Sequence, residues 1–165
     1  MRRKGKLLPV STPFAKRDSL GRAAELVAYA GIVPLAACPL ALVFVPSYSL
    51  RLLAQQSAIA YGAVVLSVLV AVHFGLALGG RLSWTAERLV AAVLPGLCAA
   101  ASVVVGGQRG LALLVVGSGI FWLYEHRRVG DELPQDYLRL RRNLTVAGCC
   151  LLALIMIVSD SVGLD

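Results

Sequence analysis

Five long apolar runs, separated by short polar segments, divide most of the chain. A helix needs about 20 apolar residues to cross the roughly 30 Å hydrocarbon core of a bilayer, since each residue adds about 1.5 Å. The runs approach that length, which predicts an all-α fold: a polytopic membrane protein built as a bundle of five transmembrane helices. We expect one domain over residues 24–160, with helices over residues 24–45, 57–78, 89–105, 110–125 and 144–158.

The fourth run is short and ends in Trp122 and Tyr124, followed by Glu125. Aromatic residues followed by charge are typical of the boundary between a bilayer and water. We therefore keep this run as a crossing, and we interpret Glu125 as an interfacial carboxylate that reaches the lipid headgroups.

Lysine and arginine residues lie almost entirely on alternate sides of the predicted crossings. With five crossings, 14 of the 16 basic residues fall on the side that holds the N-terminus. Cytoplasmic segments of membrane proteins carry an excess of Lys and Arg, so the N-terminus is predicted to be cytoplasmic and the C-terminus outside. Without the fourth crossing the basic residues would divide almost evenly, which favours five. Residues 1–23 become a basic cytoplasmic tail, partly disordered, and residues 161–165 a short outer tail.

The composition supports the membrane class, because 58% of the residues are hydrophobic and 15% are charged. The net charge of +7 does not indicate a nucleic-acid partner, since the basic residues lie in the tail and short loops and form no common face. We interpret them as a topology signal that also contacts anionic lipid headgroups at the inner face. The bias toward Ala, Val, Leu and Arg favours a bacterial inner (cytoplasmic) membrane over a mitochondrial inner membrane.

Small residues within apolar helices mark the faces where two helices approach closely. Gly75 and Gly79 are four residues apart, Gly96 precedes Ala100 by four, and Gly117 is followed closely by another glycine. We predict that Gly75, Gly79, Gly96 and Gly117 serve helix packing inside one compact bundle.

His73 lies deeper than the other ionisable residues, roughly 7 to 8 Å inside the predicted inner boundary at about 1.5 Å per residue. An imidazole at that depth needs a partner. It is either a neutral histidine bonded to a neighbouring helix or a proton-responsive or ligand-contacting group. The sequence leaves both interpretations open.

The segment over residues 133–143 combines an apolar stripe with arginines. Leu133, Tyr137 and Leu140 recur at intervals of four and three, while Arg139 and Arg141 fall on other faces. This pattern predicts an amphipathic lead-in at the inner surface, before the fifth helix enters the bilayer. His73, Tyr137, Arg139 and Arg141 are the candidate functional residues, on the cytoplasmic side.

Three motifs carry a resemblance to a known family. They are the segment from Gly31 to Pro34, the segment YGAVVLS from Tyr61 with the later His-Phe-Gly at His73, and LPQDYLRLR from Leu133. Together they resemble the domain-of-unknown-function 3429 family, which includes the transmembrane protein 69-like proteins. The resemblance extends over about residues 24–158 and implies a five-helix membrane protein.

No catalytic or metal-binding motif is evident: there is no activated nucleophile, no zinc-binding His pair and no phosphate-cradling glycine loop. We predict no cofactor and no enzymatic activity. The first hypothesis is a non-catalytic accessory or assembly subunit, with a protein partner in a membrane complex. The alternative is a small carrier or channel with a cytoplasm-facing polar cluster around His73.

Overall fold

The computed structural model describes residues 17–79, 85–128 and 135–164. These residues form six α-helices, and the described part of the chain contains no strand, so the all-α prediction is confirmed there. The helices are α1 (Arg17–Ala30), α2 (Val33–Phe44), α3 (Tyr48–Leu78), α4 (Ala86–Val105), α5 (Gly107–Arg128) and α6 (Gln135–Ser161).

Three helical stretches among the described residues are long and apolar enough to cross a membrane. They are Gly21–Phe44, which runs through α1 and α2, Tyr48–Gly75 in α3, and Gln135–Ser161, the whole of α6. Helix α4 adds the shorter apolar segment Val93–Val105. The described chain is thus rich in helices compatible with a membrane protein.

A break between α1 and α2 interrupts what the sequence predicted as one helix over residues 24–45. Pro34 lies in the first turn of α2 and has no N–H with which to continue the hydrogen bonds of α1. At the break, the Tyr61 hydroxyl of α3 donates a hydrogen bond of 2.5 Å to the carbonyl oxygen of Gly31. A side chain of a neighbouring helix therefore provides the hydrogen-bond donor for a backbone carbonyl at the break.

Helices α3 and α6 are longer than their apolar runs. Helix α3 begins at Tyr48, and Gln55 lies inside it, only 2% exposed, with its amide nitrogen donating to the Leu164 carbonyl. The predicted lead-in and fifth helix are one continuous helix from Gln135, while the start of the lead-in at residues 133 and 134 lies outside the described residues. Most of the predicted tail, residues 1–16, also lies outside them.

Consecutive long helices run in opposite directions. Helices α3, α4, α5 and α6 each pack against the next, and α2 packs against α3 and α6. The bundle therefore has two ends. At one, called the α5–α6 end, α3 and α5 finish and α6 begins. At the other, called the α4–α5 end, α4 meets α5. Between them the interior is filled by apolar side chains that are almost completely buried, including Leu66, Leu111, Leu114, Leu152 and Ile155.

Helices α4 and α5 are joined by a single residue, Gly106. Its φ of 64° and the φ of 51° at Gly107 place both glycines in the left-handed region, which glycine adopts without steric cost. The reversed chain then packs tightly, because a Cβ at Gly110 would collide with the carbonyl oxygen of Ser102. These glycines give the α4–α5 end a very short turn.

Candidate functional site

A buried ion pair lies at the α5–α6 end of the bundle. The Arg141 Nε donates to the Glu125 Oε2 at 2.9 Å, and the two residues are 4% and 1% exposed. Water cannot replace either partner at this depth, so each charge depends on the other for compensation. The pair joins the last turns of α5 to the first turns of α6.

Two hydroxyl groups complete the hydrogen bonds of this pair. The Tyr137 hydroxyl donates to the other carboxylate oxygen, Glu125 Oε1, at 3.2 Å. The Arg141 Nη1 donates to the Thr145 Oγ1 at 3.0 Å, and the Thr145 hydroxyl donates to the Arg141 carbonyl at 2.9 Å. Both carboxylate oxygens and two of the three guanidinium nitrogens thus have partners.

Phe121 separates the ion pair from His73. The Arg141 Cζ lies 5.5 Å from the centroid of the Phe121 ring, within the range of a cation–π contact. The His73 ring centroid lies 5.2 Å from the same ring, at an interplanar angle of 58°. The cluster therefore extends from α6 across α5 to the last turns of α3.

Helical periodicity explains why these side chains meet. Phe121 and Glu125 are four residues apart on α5, and Tyr137, Arg141 and Thr145 are spaced by four along α6. Residues at that spacing share one face of a helix, so each helix presents a single stripe to the other. Local spacing and antiparallel packing together assemble the cluster.

Three nitrogens of the cluster are buried and make no hydrogen bond of normal geometry within the described residues. They are the Nη2 of Arg141 and both ring nitrogens, Nδ1 and Nε2, of His73, although the backbone of Leu69, one turn earlier on α3, also interacts with the imidazole. An unpartnered buried polar atom is uncommon in a folded protein. These nitrogens are the remaining hydrogen-bonding capacity of the cluster.

The chain was compared with protein families, curated proteins and solved structures. The family described as "Protein of unknown function (DUF3429)" matches residues 20–157. The chain belongs to this family. No curated protein and no solved structure matches the chain. The family resemblance expected from the sequence is therefore confirmed, and the DUF3429 match covers α2 to α5 completely and most of α1 and α6.

In this DUF3429 protein, three of the four candidate residues lie in the cluster. His73, Tyr137 and Arg141 are brought together there, whereas Arg139 is exposed on α6. Glu125 is not the headgroup-facing residue expected from the sequence, because its carboxylate is enclosed and paired. Among the described residues, no group of three or more His, Cys, Asp or Glu could hold a metal ion.

The four predicted packing glycines occupy different environments. A Cβ at Gly117 would lie 2.7 Å from the Cys98 sulfur of α4, so this glycine permits a close approach. A Cβ at Gly75 or Gly96 would meet nothing within 4 Å, and neither glycine forms a close helix contact with the part of the chain that the structure describes. Gly79 follows α3, and its N–H bonds to the carbonyl of Gly75.

Two further glycines of the DUF3429 fold also permit close helix contacts. A Cβ at Gly62 would lie 2.9 Å from the Leu114 Cδ1, and Gly110 lies against α4. Gly110 and Gly117 are seven residues apart, which places them on one face of α5. The seven-residue interval between Gly110 and Gly117 is the feature of the sequence that indicates this face of α5.

Proposed function

We propose that the chain is an integral protein of a bacterial inner membrane that crosses the bilayer five times, with a cytoplasmic N-terminus and an outer C-terminus. The proposed crossings are α1 with α2, then α3, α4, α5 and α6, and three of these stretches are long and apolar enough to cross a membrane by themselves. The alternation of basic residues supports placing the α5–α6 end in the cytoplasm.

A reporter series tests this topology. A reporter active only in the periplasm should be active when fused after Asp165 and inactive when fused after Arg128. Equal activity at the two positions would refute five crossings. Fusion after Arg109, near the α4–α5 end, is the matched control and should be active, because it shares the outer side.

Our functional proposal is a non-catalytic accessory or assembly subunit of a membrane complex. The observation that carries it is the packed apolar interior between the two ends, where Leu66, Leu114 and Ile155 are completely buried. The charges nearest to this interior are compensated inside one ion pair. A bundle filled in this way acts through its outer surface, where many large apolar side chains are exposed.

Purification in a mild detergent tests the subunit role. The protein should elute at a mass well above 17.4 kDa, with one partner at fixed stoichiometry. Tagging that partner should recover this chain in return, while an unrelated tagged membrane protein should recover neither. A stable monomer after crosslinking in the intact membrane would contradict the proposal.

The second candidate is a small carrier or channel, and the observation in its favour is the buried imidazole of His73, whose ring nitrogens make no hydrogen bond of normal geometry within the described residues. Histidine at membrane depth is a common element of proton and substrate pathways. In reconstituted vesicles His73→Ala should then abolish transport across the membrane, while the helical circular dichroism and the melting temperature of the protein stay unchanged. Unchanged flux would remove His73 from any transport mechanism.

A further inference from the structure

A pocket of about 390 Å³ opens beside the α1–α2 break, between α1, α2, α3 and α6. Its walls are almost entirely apolar, and Leu35, Val65, Leu69 and Leu152 are among the lining residues. Ligand pockets in proteins have this size range and this mixture of apolar walls with few polar groups. The pocket borders the packed interior described above, and Leu152 contributes to both.

The charged group among the described lining residues, Arg141, lies at one end of the pocket, while the uncharged polar side chains of Tyr61, Ser118 and Cys149 line it elsewhere. Arg141 and Thr145 line it at the α5–α6 end, whereas Leu152 lines the opposite end along α6. The Arg141 charge is already compensated by Glu125, so a full anion beside it would leave a net buried charge. A neutral acceptor such as a carbonyl oxygen adds no charge, and the Arg141 Nη2 still has an unused donor.

The length of the pocket matches one leaflet of a bilayer. From Arg141 to Leu152 it follows roughly 16 Å of helix, at about 1.5 Å per residue. Half of the roughly 30 Å hydrocarbon core is about 15 Å. An acyl chain that enters at the cytoplasmic interface therefore spans the pocket from end to end.

We propose that this pocket holds one acyl chain of a glycerophospholipid of the cytoplasmic leaflet, with its ester carbonyl at Arg141 and Thr145. The inference rests on the proposed membrane topology, which places the α5–α6 end at the cytoplasmic interface. The apolar walls bury the chain, and the free Nη2 of Arg141 donates to the ester carbonyl, while the Thr145 hydroxyl holds the guanidinium in place. The lipid is a structural ligand that fills the gap left by the α1–α2 break.

Gly148 offers a direct test, because it lines the pocket and a Cβ there would meet nothing within 4 Å. In Gly148→Leu the new side chain extends from an open Cβ position into space that the acyl chain needs. Gly119→Leu is the matched control: the Gly119 Cβ position is equally open, and Gly119 does not line this pocket.

The measurement is native mass spectrometry of protein released from detergent, with lipid extraction to identify the bound species. Wild type and Gly119→Leu should retain one glycerophospholipid, and Gly148→Leu should lose it by more than about tenfold, since several methylene groups lose their burial. Circular dichroism checks that all three proteins are folded.

Equal lipid retention in wild type and Gly148→Leu would overturn the proposal. So would loss in both variants, or recovery of a quinone or free fatty acid in place of a phospholipid. The reporter fusions are independent of this result. If the lipid is not retained as expected but the reporter fusions give the proposed topology, the lipid site alone is refuted. An inverted topology refutes the proposed function.

Discussion

Replacing Arg141 by Met should destabilise the protein by about 3–5 kcal/mol, the range for removing one partner of a buried ion pair. The substitution removes the bond from Nε to Glu125 and leaves a carboxylate that is 1% exposed, so water cannot take over the lost contact. A hydrogen bond to a charged group contributes about 1.5–3 kcal/mol, and exposure of the remaining charge to an apolar surrounding accounts for the rest. Tyr137 alone, at 3.2 Å, does not compensate a full charge.

The assay is equilibrium unfolding in mixed micelles, with the free energy of unfolding taken from the loss of helical circular dichroism as denaturing detergent increases. Arg139→Met is the matched control and should change this free energy by less than about 0.5 kcal/mol, because Arg139 is exposed. The double variant Glu125→Leu with Arg141→Met removes both charges and should recover most of the lost stability. Equal losses in Arg139→Met and Arg141→Met, or a double variant no better than Arg141→Met, would refute the reasoning.

Two further predictions concern the helix contacts. Gly110→Ala should destabilise the protein by about 1–3 kcal/mol, because the new Cβ meets the Ser102 carbonyl and α4 must move away from α5. Gly119→Ala is the control and should not destabilise the protein. Thermal melting in detergent measures both variants. Tyr61→Phe removes the hydrogen bond to the Gly31 carbonyl and should cost about 1 kcal/mol, with faster amide hydrogen exchange confined to the α1–α2 break; unchanged exchange there would show that the hydroxyl does not hold the break.

Apolar runs locate helices well because an unpaired backbone group is too costly in lipid for other structures to form. They locate helix ends poorly. The predicted second and fifth helices began at residues 57 and 144, after Gln55 and Arg141. Both residues lie inside those helices in the structure, because each polar side chain finds a partner in another element: the Leu164 carbonyl for Gln55 and Glu125 for Arg141. The backbone hydrogen bonds of a helix continue through polar residues once their side chains are satisfied.

The ion pair illustrates what one sequence leaves open. Glu125 and Arg141 lie on different helices, so their contact depends on how each helix is rotated about its axis. The four-residue spacing on α5 and on α6 indicates these rotations only when the two stripes are considered together. The glycines pose the same difficulty: the spacing of Gly75 and Gly79 indicates a smooth helix surface, not which neighbour covers it.

The one-residue junction at Gly106 bears on how the protein is made. It connects α4, whose apolar segment begins only at Val93, to α5, which is not among the stretches apolar enough to cross a membrane by themselves. A turn this short gives the second helix no orientation independent of the first. In the proposed topology of five crossings the two helices therefore enter the bilayer as one hairpin during biosynthesis, and the insertion machinery encounters their combined hydrophobicity, so the more apolar helix carries the less apolar one with it.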